Sequence, residues 1–321
     1  MSESERLNQT SARTVKLSLV ICTRNRASLL NDLLESIKKQ DENSQNFEVI
    51  IIDNGSTDET SKIVRPYIRD IPNLNYVLEE RVGLSHARNR GWREAKGEYV
   101  AYIDDESKLP PEWMQVALEL ATSLRPDAFG GPIYPIYAKE KPEWFKDSYQ
   151  TFDEGVNAGY LSDNQYLSGG NMIIRLELLQ SSGGFVPHLG MSGKKIAYGE
   201  ETYFLKRLRE LNSIAVYYDK RLYVFHLVRR EKMRLLYIAK SRLASGRALH
   251  RVWGGSVNES RTNIYRKLFW ILRQLIKDIM QGFVSRDRQK YPSFQNYLYE
   301  SGFDRLVQLG KSLEVLAEKR K

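Results

Sequence analysis

The sequence predicts an α/β fold: a mixed, mainly parallel sheet flanked by helices, followed by a helical C-terminal appendage. Three observations predict it. Short β-branched runs alternate with amphipathic runs from Leu17 to Ile103, the pattern of strands joined by right-handed helical crossovers. The strand runs are almost unbroken in apolar character, as in a sheet covered on both faces. From Arg229 onward apolar residues recur at helical spacing.

In chain order, Leu17–Cys22 reads as the first strand. Ala27–Lys39 follows as a helix with Leu29, Leu30, Leu33, Leu34 and Ile37 on one face. Phe47–Ile52 is the second strand and Asp58–Ile68 the second helix; Asn75–Leu78, Leu84–Ala95 and Tyr99–Ile103 continue as strand, helix and strand. After Pro110-Pro111 a helix spans Glu112–Leu124. Residues 130–167 are rich in Gly, Pro and aromatics and read as irregular chain with short strands. The aromatics there either wall a site or anchor the loop to the body. Met172–Ile174 is a strand, Glu200–Leu211 a helix, and Ile214–Tyr218 and Leu222–Phe225 are short strands. The helical remainder is broken near Gly254-Gly255 and Tyr291-Pro292. Three regions result: a polar, disordered N-terminus over 1–14, an α/β body over 15–228, and a helical region over 229–321.

With 321 residues, 41% hydrophobic and 28% charged, the chain can bury a core without disulfides or metals as staples. Collagen-like, low-complexity and fully disordered classes are excluded. The single cysteine, Cys22, lies in an apolar run and reads as a buried thiol; a disulfide-built secreted domain is excluded and a reducing compartment favoured. Met1–Thr14 lacks the apolar core of a secretory signal, and no run approaches the ~20 apolar residues of a membrane span. A cytoplasmic location, at the cytoplasmic face of the membrane if the tail binds lipid, is the expectation.

The net charge of +9 is unevenly placed. Residues 1–220 hold 27 basic and 32 acidic residues, giving −5, whereas residues 221–321 hold 22 and 8, giving +14. The split suggests a basic appendage facing something anionic; Lys/Arg-rich helix surfaces explain it equally.

Ligands of open parallel sheets bind beyond the carboxyl ends of the strands. Thr23-Arg24-Asn25-Arg26 follows the first strand, Asp53-Asn54-Gly55-Ser56-Thr57-Asp58 the second, and Asp104-Asp105-Glu106 the fourth. Neither glycine-rich phosphate loop is present. The three consecutive acids suit phosphates held through Mn or Mg, with Asp104 and Glu106 as hard oxygen ligands. A solvated turn at a helix start is the plainer reading.

Six segments in order resemble family 2 glycosyltransferases of the GT-A fold: Leu19–Asn25, Val49–Asp58, Gly83–Gly97, Tyr99–Glu106, Leu167–Met172 and Gly199–Leu208. The resemblance runs over about residues 17–228, and it is to bacterial enzymes of surface-polysaccharide or glycan assembly. It implies an inverting transfer of sugar from a nucleotide sugar, a UDP-sugar by preference, to a hydroxyl of a glycan or lipid-linked acceptor. Asp53 would accept from the nucleotide base, with Thr23, Asn25 and Asn54 lining the base pocket. Arg88 would contact base or diphosphate, and Asp104 and Asp105 the ribose and sugar. Gly170 and Asn171 would border donor sugar and acceptor, and Trp144, Asp153 and Tyr160 the acceptor loop. Glu106 stands where relatives more often have Asp as metal ligand; His226 is either a third ligand or a structural strand-end histidine. Glu201 occupies the catalytic-base position, beside Glu200, where many relatives carry Glu-Asp. Helix-start acids can otherwise simply be dipole partners.

Asn263–Val284 has Ile264, Leu268, Ile271, Leu272, Leu275, Ile276, Ile279 and Phe283 on one helical face and is basic on the other. It suits an anionic membrane surface, or packing on the body or on a second copy. Two function classes compete with the transferase: a catalytically silent nucleotide-sugar-binding protein on the same fold, and a nucleic-acid binder, for which no aromatic-basic or zinc motif is present.

Overall fold

The computed structural model describes residues 15–40, 45–193, 195–211, 213–254 and 259–319. The predicted disordered stretch 1–14 and Gly255 lie outside the described residues.

The apolar runs pair as expected. Strands β1 (Leu17–Thr23), β2 (Phe47–Asp53), β3 (Leu74–Leu78) and β4 (Tyr99–Asp104) form the parallel half of an eight-stranded sheet. Helices α1 (Ala27–Lys38), α2 (Thr60–Asp70) and α3 (Leu84–Glu94) make the crossovers. All seven residues of β2 are buried, so side chains on both pleat faces enter cores. Leu17, Leu19, Val49 and Ile51 pack with Leu30, Leu33, Leu34 and Ile37 of α1 on one side. Val20, Ile50, Ile52 and Tyr102 pack on the other with Ala87 of α3 and with Phe204, Leu205 and Leu208 of α6 (Glu200–Leu211). Burying one Leu or Ile is worth about 1.5–3 kcal/mol, so these two layers dominate the body's stability.

Beyond β4 the chain makes a two-residue strand β5 (Ser107–Lys108) and then α4 (Trp113–Glu119), whose last turn widens over Leu120–Leu124. Strands β6 (Ala128–Gly130), β7 (Ile133–Ile136), β8 (Ala158–Tyr160), β9 (Asn171–Arg175), β10 (Val216–Asp219) and β11 (Val224–Leu227) complete the sheets. The main order is β3-β2-β1-β4-β9-β6-β10-β8, with β9 antiparallel to both β4 and β6. Helix α5 (Leu176–Ser182) was not predicted; at seven residues it is too short to show a helical period. Because β1 lies between β2 and β4, the chain changes direction there, and a crevice opens beyond their carboxyl ends. A small second sheet, β5-β11-β7, sets His226 opposite Ser107 and so carries β11 to the same edge.

The C-terminal region comprises α7 (Leu235–Trp253), α8 (Arg261–Ser285), α9 (Phe294–Tyr297) and α10 (Asp304–Glu318). It is joined closely to residues 15–228. Phe145 is buried in a cluster with Val228, Met233, Ile238, Leu298 and Phe303. Tyr149 stacks on Tyr299 with ring centroids 3.7 Å apart, and the Asn296 amide donates to the Trp144 carbonyl at 2.6 Å. Of the two readings of the aromatic loop, anchoring is therefore the one seen for Trp144, Phe145 and Tyr149.

Helices α7 and α10 meet through two glycines. A Cβ on Gly246 would collide with the Val307 carbonyl, and one on Gly310 with the Leu243 carbonyl. Alanine in a helix is normally favoured over glycine by up to about 1 kcal/mol. Here the backbones would have to separate, so Gly246→Ala is expected to destabilise by about 1–3 kcal/mol. Denaturant unfolding checks this; a higher midpoint for the variant would contradict the close crossing.

Candidate functional site

The loops after β1, β2 and β4 meet at the crevice. Asp53 ends β2 and is 4% exposed. Its Oδ1 accepts from the Ser56 N–H at 2.8 Å, and its Oδ2 from the Tyr76 hydroxyl. Burial and the Asp53 carboxylate together raise the Tyr76 phenol above its ordinary range. Asn25 takes a left-handed backbone, φ 53°, and its Oδ1 accepts from the Thr57 N–H at 2.7 Å. Asn54 donates to the carbonyls of Glu79 (3.0 Å) and Arg81 (2.8 Å) and accepts from the Gly83 N–H at 2.7 Å. Asn25 and Asn54 thus build the loops that present Asp53. Asn171 is fully buried; its amide donates to the Leu222 carbonyl at 2.6 Å and accepts from the Trp113 indole at 3.3 Å.

The three acids after β4 differ sharply in surroundings. Asp104 opens to the crevice, its side chain 40% exposed, with the His226 Nε2 3.8 Å away. Gly170 lies directly against it: a Cβ there would strike the Asp104 carboxylate, so only glycine lets β9's entry approach this closely. Asp105 turns inward beside Thr23 and pairs with Arg26 at 2.6 Å. Burial raises its pKa, and Arg26 opposes the rise. Cys22, on the neighbouring register position, is partly buried rather than fully so; burial pushes its thiol up to about 12.

Glu106 is enclosed by basic side chains. Lys232 Nζ lies 2.5 Å from its carboxylate, Arg229 Nε 2.9 Å, His226 Nε2 3.2 Å and Arg26 3.8 Å. Burial alone would raise this carboxyl. The His226 hydrogen bond and the Lys232 charge outweigh it and hold the group well below the usual carboxylate range. Arg229 and Lys232 belong to the segment after β11, outside the stretch that carries the family motifs.

Across the crevice, the buried Arg88 donates to Glu200 Oε1 at 2.7 Å and to the Gly169 carbonyl at 3.1 Å. Its guanidinium lies over the rings of Phe185 (5.3 Å) and Tyr102 (5.8 Å). The structure therefore places Arg88 behind the acids at the start of α6. Glu200 Oε2 and, one residue on, Glu201 Oε2 are both buried with no hydrogen-bond partner among the described residues; Glu200 is held by Arg88 through its other oxygen, whereas no hydrogen bond fixes the Glu201 carboxylate. Burial pushes its carboxyl up to about 8, the Glu200 charge adds to the rise, and Arg88 counters it. A proton-accepting oxygen left without a partner is what a general base needs.

A divalent cation fits this donor set in one way. Glu106 Oε1 accepts from Lys232 and faces His226, while Oε2 is ion-paired with Arg229 without a hydrogen bond. Asp104 is the exposed carboxylate, with His226 beside it. Mg²⁺ and Mn²⁺ commonly take one or two carboxylates and complete their shell with substrate oxygens and water. Among the described residues no cluster of three or more His, Cys, Asp or Glu is arranged around a cation.

Two residues of the site, Tyr76 and Arg26, were missed by sequence reasoning. Tyr76 carried no motif. Arg26 stood inside a quoted turn but was given no role. Arg229 and Lys232 read in the sequence as part of a basic segment, Arg229–Arg251, that draws anionic donor or lipid-diphosphate acceptor toward the site; the structure sets both against Glu106.

The sequence model described as glycosyl transferase family 2 matches residues 18–183. Over 221 residues the chain is 25% identical to a glucosyl-dolichyl phosphate glucuronosyltransferase of Haloferax volcanii, covering 66% of this chain and 69% of that protein. It spans less of other curated relatives, 58% of one and 24% of another. The fold resembles that of Staphylococcus aureus TarS 1–349 in complex with UDP-GlcNAc: TM-score 0.57, 18% identity, 95% of this chain and 92% of that one. It also resembles the mannosyltransferase PcManGT from Pyrobaculum calidifontis in complex with GDP-Man and Mn²⁺: TM-score 0.58, 15% identity, 96% and 88%. With more than half of its length matched by that model, on a mixed α/β sheet flanked by helices, the chain belongs to glycosyl transferase family 2.

Proposed function

We propose that this glycosyltransferase moves a sugar from a nucleoside diphosphate sugar, a UDP-sugar by preference, to a hydroxyl of a glycan or lipid-linked acceptor, with inversion at the anomeric carbon. One observation carries the reading. Asp104, Gly170, Gly169, Arg88, Glu200 and Glu201 form a continuous line from the exposed acid to the unpartnered one. In this reading a donor held at Asp104 is connected to a base at Glu201 through those contacts.

In this reading Asp53 accepts from the nucleotide base; a carboxylate oxygen has a second lone pair beyond those used by Ser56 and Tyr76. Glu201 takes the acceptor hydroxyl's proton as that oxygen attacks the anomeric carbon. The bond to the diphosphate breaks, and the nucleoside diphosphate departs from the opposite face. Arg88 positions Glu200 and Glu201 and holds the Gly169 backbone. Asp104 would hold Mn²⁺ or Mg²⁺, with His226 joining it as a ligand once its Nε2 leaves Glu106, and the ion when bound supplies positive charge to the leaving diphosphate. Arg229, Lys232 and Arg26 supply fixed charge at the same edge. The dolichyl phosphate in the name of the Haloferax relative favours a lipid-linked acceptor.

Glu201→Gln is expected to lower transfer by roughly 10²–10⁴-fold while leaving UDP binding intact by calorimetry. Normal transfer by the variant would remove Glu201 as base. A base must be deprotonated, so kcat/KM should rise with pH through the raised pKa of Glu201, about 8. Glu200→Gln removes the neighbouring negative charge, lowers that pKa and moves the rising limb to lower pH. An unmoved limb would show that a different group titrates.

A further inference from the structure

We propose that the outer face of α8 docks this enzyme on an anionic membrane surface. Helix α8 carries two apolar stripes. The inner stripe, Ile264, Leu268 and Ile271, is buried, and Ile264 and Leu268 pack on Val315 and Leu316 of α10. The outer stripe is Tyr265, Phe269, Leu272, Ile276, Met280 and Phe283, spaced three or four residues apart and so on one face. Its members are 44–71% exposed. A helix of a soluble monomer ordinarily turns charged or polar residues outward opposite its packed stripe. On α8 the position opposite the packed stripe is held by Arg266, Arg273 and Lys277, and beside them runs a row of six large exposed apolar side chains, which marks an interaction surface.

The charges beside the stripe identify the partner. At 100° per residue, Arg266, Arg273 and Lys277 fall along one border of the stripe, and all three are exposed. The helix has one acid, Asp278, which is partly buried and paired with Arg305 at 3.0 Å. Apart from Thr262, the stripe and this border therefore present apolar side chains and cations. Two copies joined through this face by a two-fold axis would bring like cations together. An anionic lipid surface instead offers acyl chains to the stripe and headgroups to the Arg/Lys border, the arrangement of a helix lying in the interface plane. No described helix is long and apolar enough to cross a membrane, so the enzyme would lie on the surface. The inference rests on α8 and stands apart from the assignment of the base.

The test is sedimentation of the full chain with vesicles of phosphatidylcholine alone or mixed with phosphatidylglycerol, at low and high salt. Two triple variants are compared, Phe269→Ser/Ile276→Ser/Phe283→Ser and Arg266→Gln/Arg273→Gln/Lys277→Gln. The wild type should pellet with the phosphatidylglycerol vesicles and be released by salt. The charge variant should partition roughly a hundredfold less, at about fivefold per cation, and the apolar variant at least tenfold less. UDP binding by calorimetry, a reading of the donor site alone, should be unchanged in both. Absence of pelleting at low salt, or pelleting undiminished in both variants, overturns the proposal. So does a wild-type dimer, seen by light scattering, that the apolar triple variant dissociates.

Discussion

Three consecutive acids at the carboxyl end of β4 set the main electrostatic constraint on this molecule. Asp104, Asp105 and Glu106 cannot stand together unless their charge is balanced, because two of them are almost fully buried and face low dielectric. The fold meets this from three directions. Arg26 arrives from the turn after β1, His226 from β11, and Arg229 and Lys232 from the segment leading into α7. Only Asp104 remains exposed toward the crevice. One electrostatic problem thus joins the β1–α1 turn, the small sheet and the C-terminal helices.

A second buried charge pair organises the opposite wall. Arg88 and Glu200 are both nearly inaccessible, and such a pair gains little net stability over an apolar substitute. Removing one partner costs about 3–5 kcal/mol, so the pair specifies geometry more than it stabilises. What it specifies is useful: Arg88 also holds the Gly169 carbonyl, and Glu200 sits next to Glu201 at the first turn of α6. The position of the unpartnered Glu201 carboxylate thereby follows from an arginine 113 positions earlier in the chain.

The strands and crossovers from Leu17 to Asp104 are legible in the sequence because each buried strand is a continuous apolar run bounded by polar turns. The acids and the Glu200-Glu201 pair are legible because motif order places them at strand and helix ends. Partnering is not legible. Asn25, Asn54 and Asn171 are read as binding residues, and each is found bonding loop or strand backbone or a buried indole. Side-chain amides look alike in a sequence whether they face a ligand or a carbonyl. The Arg229 and Lys232 contacts to Glu106 span over 120 residues and carry no periodic signal.

The basic C-terminal region looks uniform in composition but serves two different ends. Arg229 and Lys232 are turned inward on Glu106, and Arg251 is paired with the buried Glu314 at 2.7 Å. Those cations offset buried acids and contribute little to the field far from the molecule. Arg266, Lys267, Arg273 and Lys277 on α8 are exposed, and the helix's one acid is paired with Arg305. The exposed cations of α8 therefore add to the positive field outside the molecule, on the helix that also carries the exposed apolar stripe. Charge asymmetry along the chain becomes charge asymmetry across the fold only after the internal ion pairs are subtracted. Exposed cations also survive it on other elements, among them Arg230, Arg234, Lys240, Arg288, Lys290 and Lys311, but those of α8 stand beside the exposed apolar stripe of a helix whose inner face is fixed to α10.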